Sequence, residues 1–160
     1  MQGHVIAESG HVINLLPPVD VNGGAPVTIP GFSMKGWNHV SILLGLGVQA
    51  APLTSILLKA AATPTGVGTS IPFSIYKQEG SGASQDVLGP RVAVTSAGFT
   101  TPSGNNKIFY VIELDAAELP DGLPYCQLVI TAPASSILMS AFAILQFGRH
   151  QFAMNPTVLA

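Results

Sequence analysis

The feature that most restricts the fold of this chain is the close spacing of its glycines and prolines. The 160 residues contain 17 Gly and 13 Pro, and the segments between them are short runs rich in Val, Ile, Leu, Phe and Thr. Short β-branched and aromatic runs bounded by turn residues are typical of strands. Hardly any stretch repeats its apolar residues at the 3.6-residue spacing of a helix. The sequence therefore predicts a nearly all-β protein.

The punctuation divides the chain into strands and one short helical turn. We predict strands at His11–Leu16, Ala25–Ile29, His39–Leu46, Ser55–Ala62, Phe73–Gln78, Arg91–Ser96, Lys107–Asp115, Tyr125–Thr131 and Met139–Phe147. Eight or nine strands in a chain of this length fit an antiparallel β sandwich, and a jelly roll is the commonest arrangement of eight. Asp115 and Glu118 form a capping box that predicts one helical turn, which the Pro120-Asp121-Gly122 turn ends.

Several predicted strands are apolar on both faces. In His39–Leu46 the even-numbered residues are all apolar and are expected in the core. In Lys107–Asp115 and Met139–Phe147 both faces of the strand are largely apolar. A sheet with one wet face would alternate apolar and polar side chains. These strands therefore need a second cover besides the facing sheet, and we expect a partner subunit to supply it.

The charge content points to an assembly as well. Asp, Glu, Lys and Arg make up 9% of the chain and give a net charge of −2, whereas a typical soluble domain has about 25% charged residues. Scattered charge keeps soluble monomers apart, so we expect a homo-oligomer, a dimer or a trimer.

No basic block is present, which argues against nucleic-acid binding. No apolar run spans a membrane, and Met1–Gly10 lacks the features of a signal peptide. We therefore expect synthesis in a reducing cytoplasm.

The two ends differ from the middle of the chain. We predict a single domain over residues 1–160 with a core at about 36–148, and extended arms at 1–35 and 149–160. The C-terminal arm carries apolar side chains that would be unfavourable in water, so we expect it to dock on another chain. The predicted interface residues are Trp37, Phe152, Met154, Val158 and Leu159.

The residues that could carry chemistry are scattered. The four histidines (His4, His11, His39 and His150) form no cluster with metal-ligand spacing. The carboxylates of Glu113, Asp115, Glu118 and Asp121 are interpreted as caps and turn residues. Cys126, the single cysteine, allows no intrachain disulfide and is expected to be a buried, inert thiol. We predict no catalytic residue, no cofactor and no metal, and hence no enzyme.

The order of segments resembles a family of small virion proteins of tailed bacteriophages. The resemblance covers roughly residues 36–150 and is carried by Trp37–Val48, Ile56–Ala61, Ile71–Lys77, Ile108–Leu119 with Asp121-Gly122, and Ala141–Leu145 with Gly148-Arg149. It is a similarity of pattern and includes no catalytic signature. It implies a capsid-associated protein similar to the cement or decoration proteins of the head shell, often with jelly-roll-like β folds.

Three functions are compatible with such a fold, because fold alone does not determine function. The first, which we favour, is a capsid cement protein on the outer surface of the virion that binds and bridges major capsid protein subunits. The second is a tail or fibre module that binds a host glycan, for which Trp37 or a tyrosine would have to form an exposed stacking platform. Trp37 is more often a core lid or an interface anchor. The third is an enzyme on a jelly-roll scaffold, which would need a His/Glu cluster.

Overall fold

The chain folds into two antiparallel sheets. The computed structural model describes residues 6, 10–22, 26–48, 51–79, 87–103, 108–131 and 135–148. The strands within these ranges are β1 (Gly10–Val21), β2 (Pro26–Thr28), β3 (Phe32–Ser33), β4 (Trp37–Leu46), β5 (Ser55–Ala61), β6 (Thr69–Ile71), β7 (Phe73–Gln78), β8 (Val92–Val94), β9 (Ile108–Asp115), β10 (Tyr125–Thr131) and β11 (Ile137–Gly148). None of the helices in the described ranges is long and apolar enough to span a membrane.

The two sheets pack as a jelly-roll-like sandwich, which confirms the predicted fold class. The six-stranded sheet has the order β1-β11-β4-β9-β7-β8, and the second sheet has the order β2-β10-β5-β6 with β3 also paired to β10. Neighbouring strands are therefore often distant in sequence. The predicted bounds of β7 and β10 are the observed ones, and the other predicted strands differ from the observed strands mainly at their ends.

The core lies between the sheets and is built from alternating side chains. Val40, Ile42 and Leu44 on β4 have no exposed surface, and neither does Ile112 on β9 or Leu58 on β5. The three β4 residues belong to the face that the sequence pattern predicts to be buried. The inward side chains of both sheets form one cluster, as expected for two sheets that share a single hydrophobic layer.

The predicted helical turn is also present. Ala116–Glu118 forms one 3-10 turn directly after β9. The backbone N–H of Asp115 donates a hydrogen bond of 2.9 Å to Oε2 of Glu118, which is one half of a capping box. Gly122 has a φ of 79°, a conformation that few residues other than glycine adopt. The chain then enters β10.

The N-terminal side of the sandwich is larger than the sequence predicts. The sequence predicts two strands in this region, His11–Leu16 and Ala25–Ile29, within the arm at 1–35, and the structure has three, β1–β3. The buried side chains of residues 10–34 join the core: Ile13, Leu15, Val21, Ile29, Phe32 and Met34. Pro17 and Pro18 lie in β1 itself, where the register with β11 shifts twice. Because β1 is at the edge of its sheet, these prolines interrupt no hydrogen bonds to a second neighbour.

The end of β11 differs from the predicted alternation. Strict alternation would place Phe147 on the same face as the buried Leu145, but the Phe147 side chain is 65% exposed. Its φ is 54°, in the left-handed region that bulky residues rarely occupy. This backbone conformation takes the residue out of the strand's alternation. The predicted arm at 149–160 lies outside the described residues.

Candidate assembly surface

The chain covers the outside of its five-stranded sheet with one of its own loops. Gln127 on β10 points away from the core, yet it is only 2% exposed. Its Nε2 donates hydrogen bonds of 2.9 Å to the carbonyl of Pro64 and 3.0 Å to the carbonyl of Gly66. The N–H of Gly31 donates a bond of 2.7 Å to the same Pro64 carbonyl. The connection between β5 and β6 is thereby fastened across this sheet.

The other side of the sandwich carries an apolar surface, which we call the outer face. It is the side of the six-stranded sheet that is turned away from the five-stranded sheet. The register aligns Phe142 of β11, Leu43 of β4, Val111 of β9 and Tyr76 of β7 in one row across four strands. Paired residues in antiparallel strands project to the same face. This row therefore forms a continuous apolar band along the middle of the outer face.

Exposed apolar side chains concentrate on the β1–β11 half of the outer face. The exposed fraction is 52% for Val12, 59% for Leu138 and 38% for Phe142. Val12 pairs with Ile144, which is 9% exposed. An isolated exposed apolar side chain needs no explanation, but a contiguous patch marks an interaction surface. The second cover predicted from the sequence pattern would therefore lie on this face.

A polar cluster borders the apolar band. His39 of β4 lies between two carboxylates of β9: its Nδ1 is 2.7 Å from Oδ1 of Asp115 and its Nε2 is 2.6 Å from Oε2 of Glu113. Ser41, two residues further along β4, donates a hydrogen bond of 2.7 Å to the same Glu113 oxygen. The edge of Phe147 faces the His39 ring at a centroid distance of 6.4 Å. The apolar band therefore ends on one side in a charged network.

The His39 environment favours the protonated imidazole. Partial burial lowers the pKa of His39, but the hydrogen bonds and negative charges of Asp115 and Glu113 raise it by more, so the pKa lies above its usual value. A protonated ring can donate to both carboxylates at once, whereas a neutral ring can donate to only one. Protonation of His39 therefore strengthens the tie between β4 and β9.

This cluster does not have a metal-binding geometry, and His39 is not placed to take a proton from Ser41. The two ring nitrogens point to different carboxylates, so they do not converge on one ion with them. Within the described ranges, no group of three or more His, Cys, Asp or Glu side chains is arranged to hold a metal. The Ser41 hydroxyl donates to Glu113, and His39 has both nitrogens on carboxylates. His39 is therefore not placed as a general base for this serine.

A groove of about 480 Å³ crosses the other end of the outer face. It is lined by Pro18, Gly45, Leu46, Gly47, Gln78, Ile108, Phe109, Leu138, Met139 and Ser140. Register pairing aligns Ser140, Gly45 and Phe109 across β11, β4 and β9. Because Gly45 has no side chain, the row is open at its centre. None of the lining side chains is ionisable.

Of the predicted interface residues, the structure describes only Trp37. Trp37 is 8% exposed and belongs to the core cluster, and its ring centroid lies 6.1 Å from that of His11. It is therefore a lid on the core in the isolated chain. The other predicted interface residues (Phe152, Met154, Val158 and Leu159) lie outside the described residues, as do His4 and His150.

Cys126 has the predicted environment. It is fully buried on β10. Burial raises the pKa of its thiol to about 12. The thiolate, which is the reactive form, is therefore scarce at neutral pH. This confirms the prediction of a buried thiol.

The residues of the polar cluster were not predicted to act together. Glu113 and Asp115 were interpreted as part of a capping segment, and His39 as a surface residue at the top of a strand. Their spacing does contain a signal, since residues 113 and 115 share one face of a strand, as do residues 39 and 41. The sequence does not show that the two strands are neighbours in antiparallel register.

Comparison with known proteins gives likenesses of fold only. No protein-family model matches the chain, and no curated protein matches it. Among solved structures, a protein derived from the SPBc2 prophage, YomS, has a TM-score of 0.44 at 10% identity, with 84% of this chain and 92% of that chain covered. The capsid asymmetric unit of cyanophage Pam1 has a TM-score of 0.29 at 14% identity, covering 92% and 91%.

A third likeness is to the VP2 subviral particle of infectious bursal disease virus. Its TM-score is 0.32 at 14% identity, with 88% of this chain and 32% of that chain covered. Because all three TM-scores lie below 0.5, we draw no functional conclusion from them.

Proposed function

We propose that this chain is a virion structural protein of a tailed bacteriophage, a capsid cement protein that binds and bridges major capsid protein subunits on the outer surface of the head. It assembles as a homo-oligomer, a dimer or a trimer, and it needs no cofactor. Its mechanism is the burial of apolar surface between subunits. Each copy on a closed lattice repeats the same contact, so small contributions add over the shell.

The observation that carries this proposal is the apolar outer face. The face extends over β1, β11, β4, β9 and β7, which at a strand spacing of about 4.8 Å gives a width of roughly 24 Å. About eight residues per strand give a length of roughly 27 Å. The resulting area of about 650 Å² is that of the whole face, including its polar cluster, and approaches the roughly 800 Å² per partner of a standard protein–protein interface. The face is thus large enough for one stable subunit contact.

The low charge and the sequence resemblance support the same function. Only six basic and eight acidic residues are present in 160, so little electrostatic repulsion opposes packing of neighbouring copies. The resemblance to small phage virion proteins covers the segments that form β4, β5, β7, β9 and β11. Four of these strands build the outer face.

The rival functions have less support. A glycan-binding module needs an aromatic ring that lies open to solvent with polar neighbours. Of the residues that the sequence offered for this role, Trp37 is 8% exposed and Tyr110 is fully buried, so neither offers a stacking surface. Tyr76 and Tyr125 are partly exposed. Phe147, 65% exposed beside His39, is the ring that best meets the requirement. An enzyme needs a free acid, base or nucleophile, and the His39 ring is held by two carboxylates.

Mass spectrometry of separated particle parts tests the proposal. Heads and tails would be purified from the phage that encodes this chain, and the copy number of the chain would be measured in each. We expect many copies in the head fraction and none in the tail fraction. Recovery with tails or fibres would favour a tail module, and absence from both fractions would contradict a virion role.

A further inference from the structure

We propose that the groove on the outer face receives the C-terminal segment, residues 149–160, of a second copy of this chain. The inference rests on the self-association in the proposed function and names the contact that produces it. The groove has a volume of about 480 Å³ and lies between Pro18, Phe109 and Leu138. The part of the segment that would enter the groove, from Gln151 onward, carries no charged side chain.

Gly45 is the first indication that the groove accommodates another chain. Glycine in the interior of a strand weakens the strand and often marks the close approach of another backbone. Gly45 has no positive φ, and a Cβ built on it would meet only the Ser140 Oγ, at 3.5 Å. A side chain would therefore fit here without strain. Its absence leaves an open channel across three neighbouring strands.

The composition of the C-terminal segment matches the groove. Phe152 and Met154 alternate along the chain, so both can project to the same side of an extended segment. Residues 151–160 include no ionisable side chain, and no ionisable side chain lines the groove. Pro156 has no N–H, so the segment suits an apolar groove better than a paired position inside a sheet.

The reach of the chain favours a second copy as the donor of Phe152 and Met154. β11 ends at Gly148, and the groove lies near its other end at Ser140. Eight residues of strand separate these points by roughly 27 Å. Starting from Gly148, the chain reaches at most about 14 Å by Phe152 and about 21 Å by Met154. The backbones of both residues therefore end short of the groove of their own copy, whereas Val158 and Leu159, with a reach of about 35–39 Å, do not.

Disulfide trapping between two full-length variants tests the contact. One protein carries Ser140→Cys and the other carries Met154→Cys, with an affinity tag on one so that heterodimers can be recognised. The native Cys126 should not form disulfides in this experiment, because it is fully buried and its thiol pKa is raised to about 12. We expect air oxidation of the mixture to give a disulfide-linked heterodimer.

A matched control uses Thr28→Cys, an exposed position on the five-stranded sheet, mixed with the same Met154→Cys protein. It should give no heterodimer. Equal trapping in both mixtures would overturn the proposal, and so would the absence of any cross-link. Cross-linking within a single chain that carries both Ser140→Cys and Met154→Cys, without linked dimers, would show that the segment docks on its own copy.

Complementation provides a second test that does not depend on cysteine chemistry. Gly45→Leu fills the groove, and the double variant Phe152→Ala/Met154→Ala removes the inserted side chains. Each should weaken self-association in sedimentation by about tenfold to a hundredfold, or about 1.4–2.8 kcal/mol. A mixture of the two should associate more strongly than either alone, because one copy supplies the groove and the other the segment. A mixture no stronger than its components would contradict the exchange.

These experiments use the purified protein, so their failure is separate from failure of the proposed function. A chain found in heads by mass spectrometry whose groove is never cross-linked would remain a capsid protein that assembles through another contact.

Discussion

Replacing two strongly exposed apolar side chains of the outer face should dissociate the oligomer and leave the sandwich folded. The variant is Val12→Ser/Leu138→Ser. Full burial of such a side chain contributes about 1.5–3 kcal/mol, and the fraction still exposed in the isolated chain is what a partner can bury. With 52% of Val12 and 59% of Leu138 exposed, the partner gains about 0.8–1.6 and 0.9–1.8 kcal/mol from them.

The two contributions sum to about 1.7–3.4 kcal/mol, which is a 15- to 300-fold weaker dissociation constant. Sedimentation equilibrium across a concentration series measures this directly. The remaining buried fractions of the two side chains also stabilise the fold, so the free energy of unfolding should fall by an amount of similar size. Circular dichroism should nevertheless show an intact β structure at room temperature.

Val67→Ser is the matched control. Val67 is fully exposed in the loop between β5 and β6, so its replacement removes an apolar side chain of the same kind from a different surface. Its dissociation constant should equal that of the unmodified protein. If Val12→Ser/Leu138→Ser associates as tightly as the control, the outer face is not the oligomer contact.

Three further outcomes are expected. His39→Gln should reduce the free energy of unfolding most at acid pH. Because the pKa of His39 is raised, its contribution to the free energy of unfolding is complete below the ordinary histidine pKa of about 6.5 and is lost as the pH rises through the folded pKa. Denaturant titrations in which the stability difference between the variant and the unmodified protein stays constant with pH would refute this. Cys126 should react with a thiol reagent at neutral pH only as fast as the protein unfolds, so rapid labelling without denaturant would contradict its burial. Gly98→Ala should destabilise the protein far more than Gly36→Ala in thermal unfolding. Both glycines have a positive φ, and another residue in that conformation costs about 1–3 kcal/mol at either site. Only at Gly98 would the added Cβ also overlap a neighbouring group, the Ile56 carbonyl, because nothing lies within 4 Å at Gly36. Equal losses would refute this reading.

Much of the sandwich follows from local sequence patterns. β4, β7 and β10 are long enough for alternation to show, and the capping residues Asp115 and Glu118 determine the single 3-10 turn. By contrast, β3 has two residues and β6 has three. No periodic pattern can be recognised in such short segments. They are strands only because β10 and β5 offer them a pairing edge.

The N-terminal region shows how tertiary position overrides local signals. Pro17 and Pro18 argue against a strand inside a sheet, because proline cannot donate a ladder hydrogen bond. β1 escapes this constraint since it is an edge strand with register shifts at both sides of Leu16. An edge position is a property of the whole topology. The sequence does not reveal it.

The candidate surface was predictable in kind but not in location. Strands apolar on both faces, such as β9 and β11, indicate a second cover. Which sheet keeps its outside open depends on where the loop containing Pro64 and Gly66 folds, and Gln127 fastens that loop over the five-stranded sheet. The pairing of His39 with Glu113 likewise depends on long-range register.

Cryo-electron microscopy of the intact phage particle tests the central claim most directly. We predict density for this β sandwich on the outside of the head, with each copy contacting more than one major capsid subunit and with the outer face of its six-stranded sheet buried against a neighbour. Density in the tail, or on a head where that face points into solvent in every copy, would contradict the account.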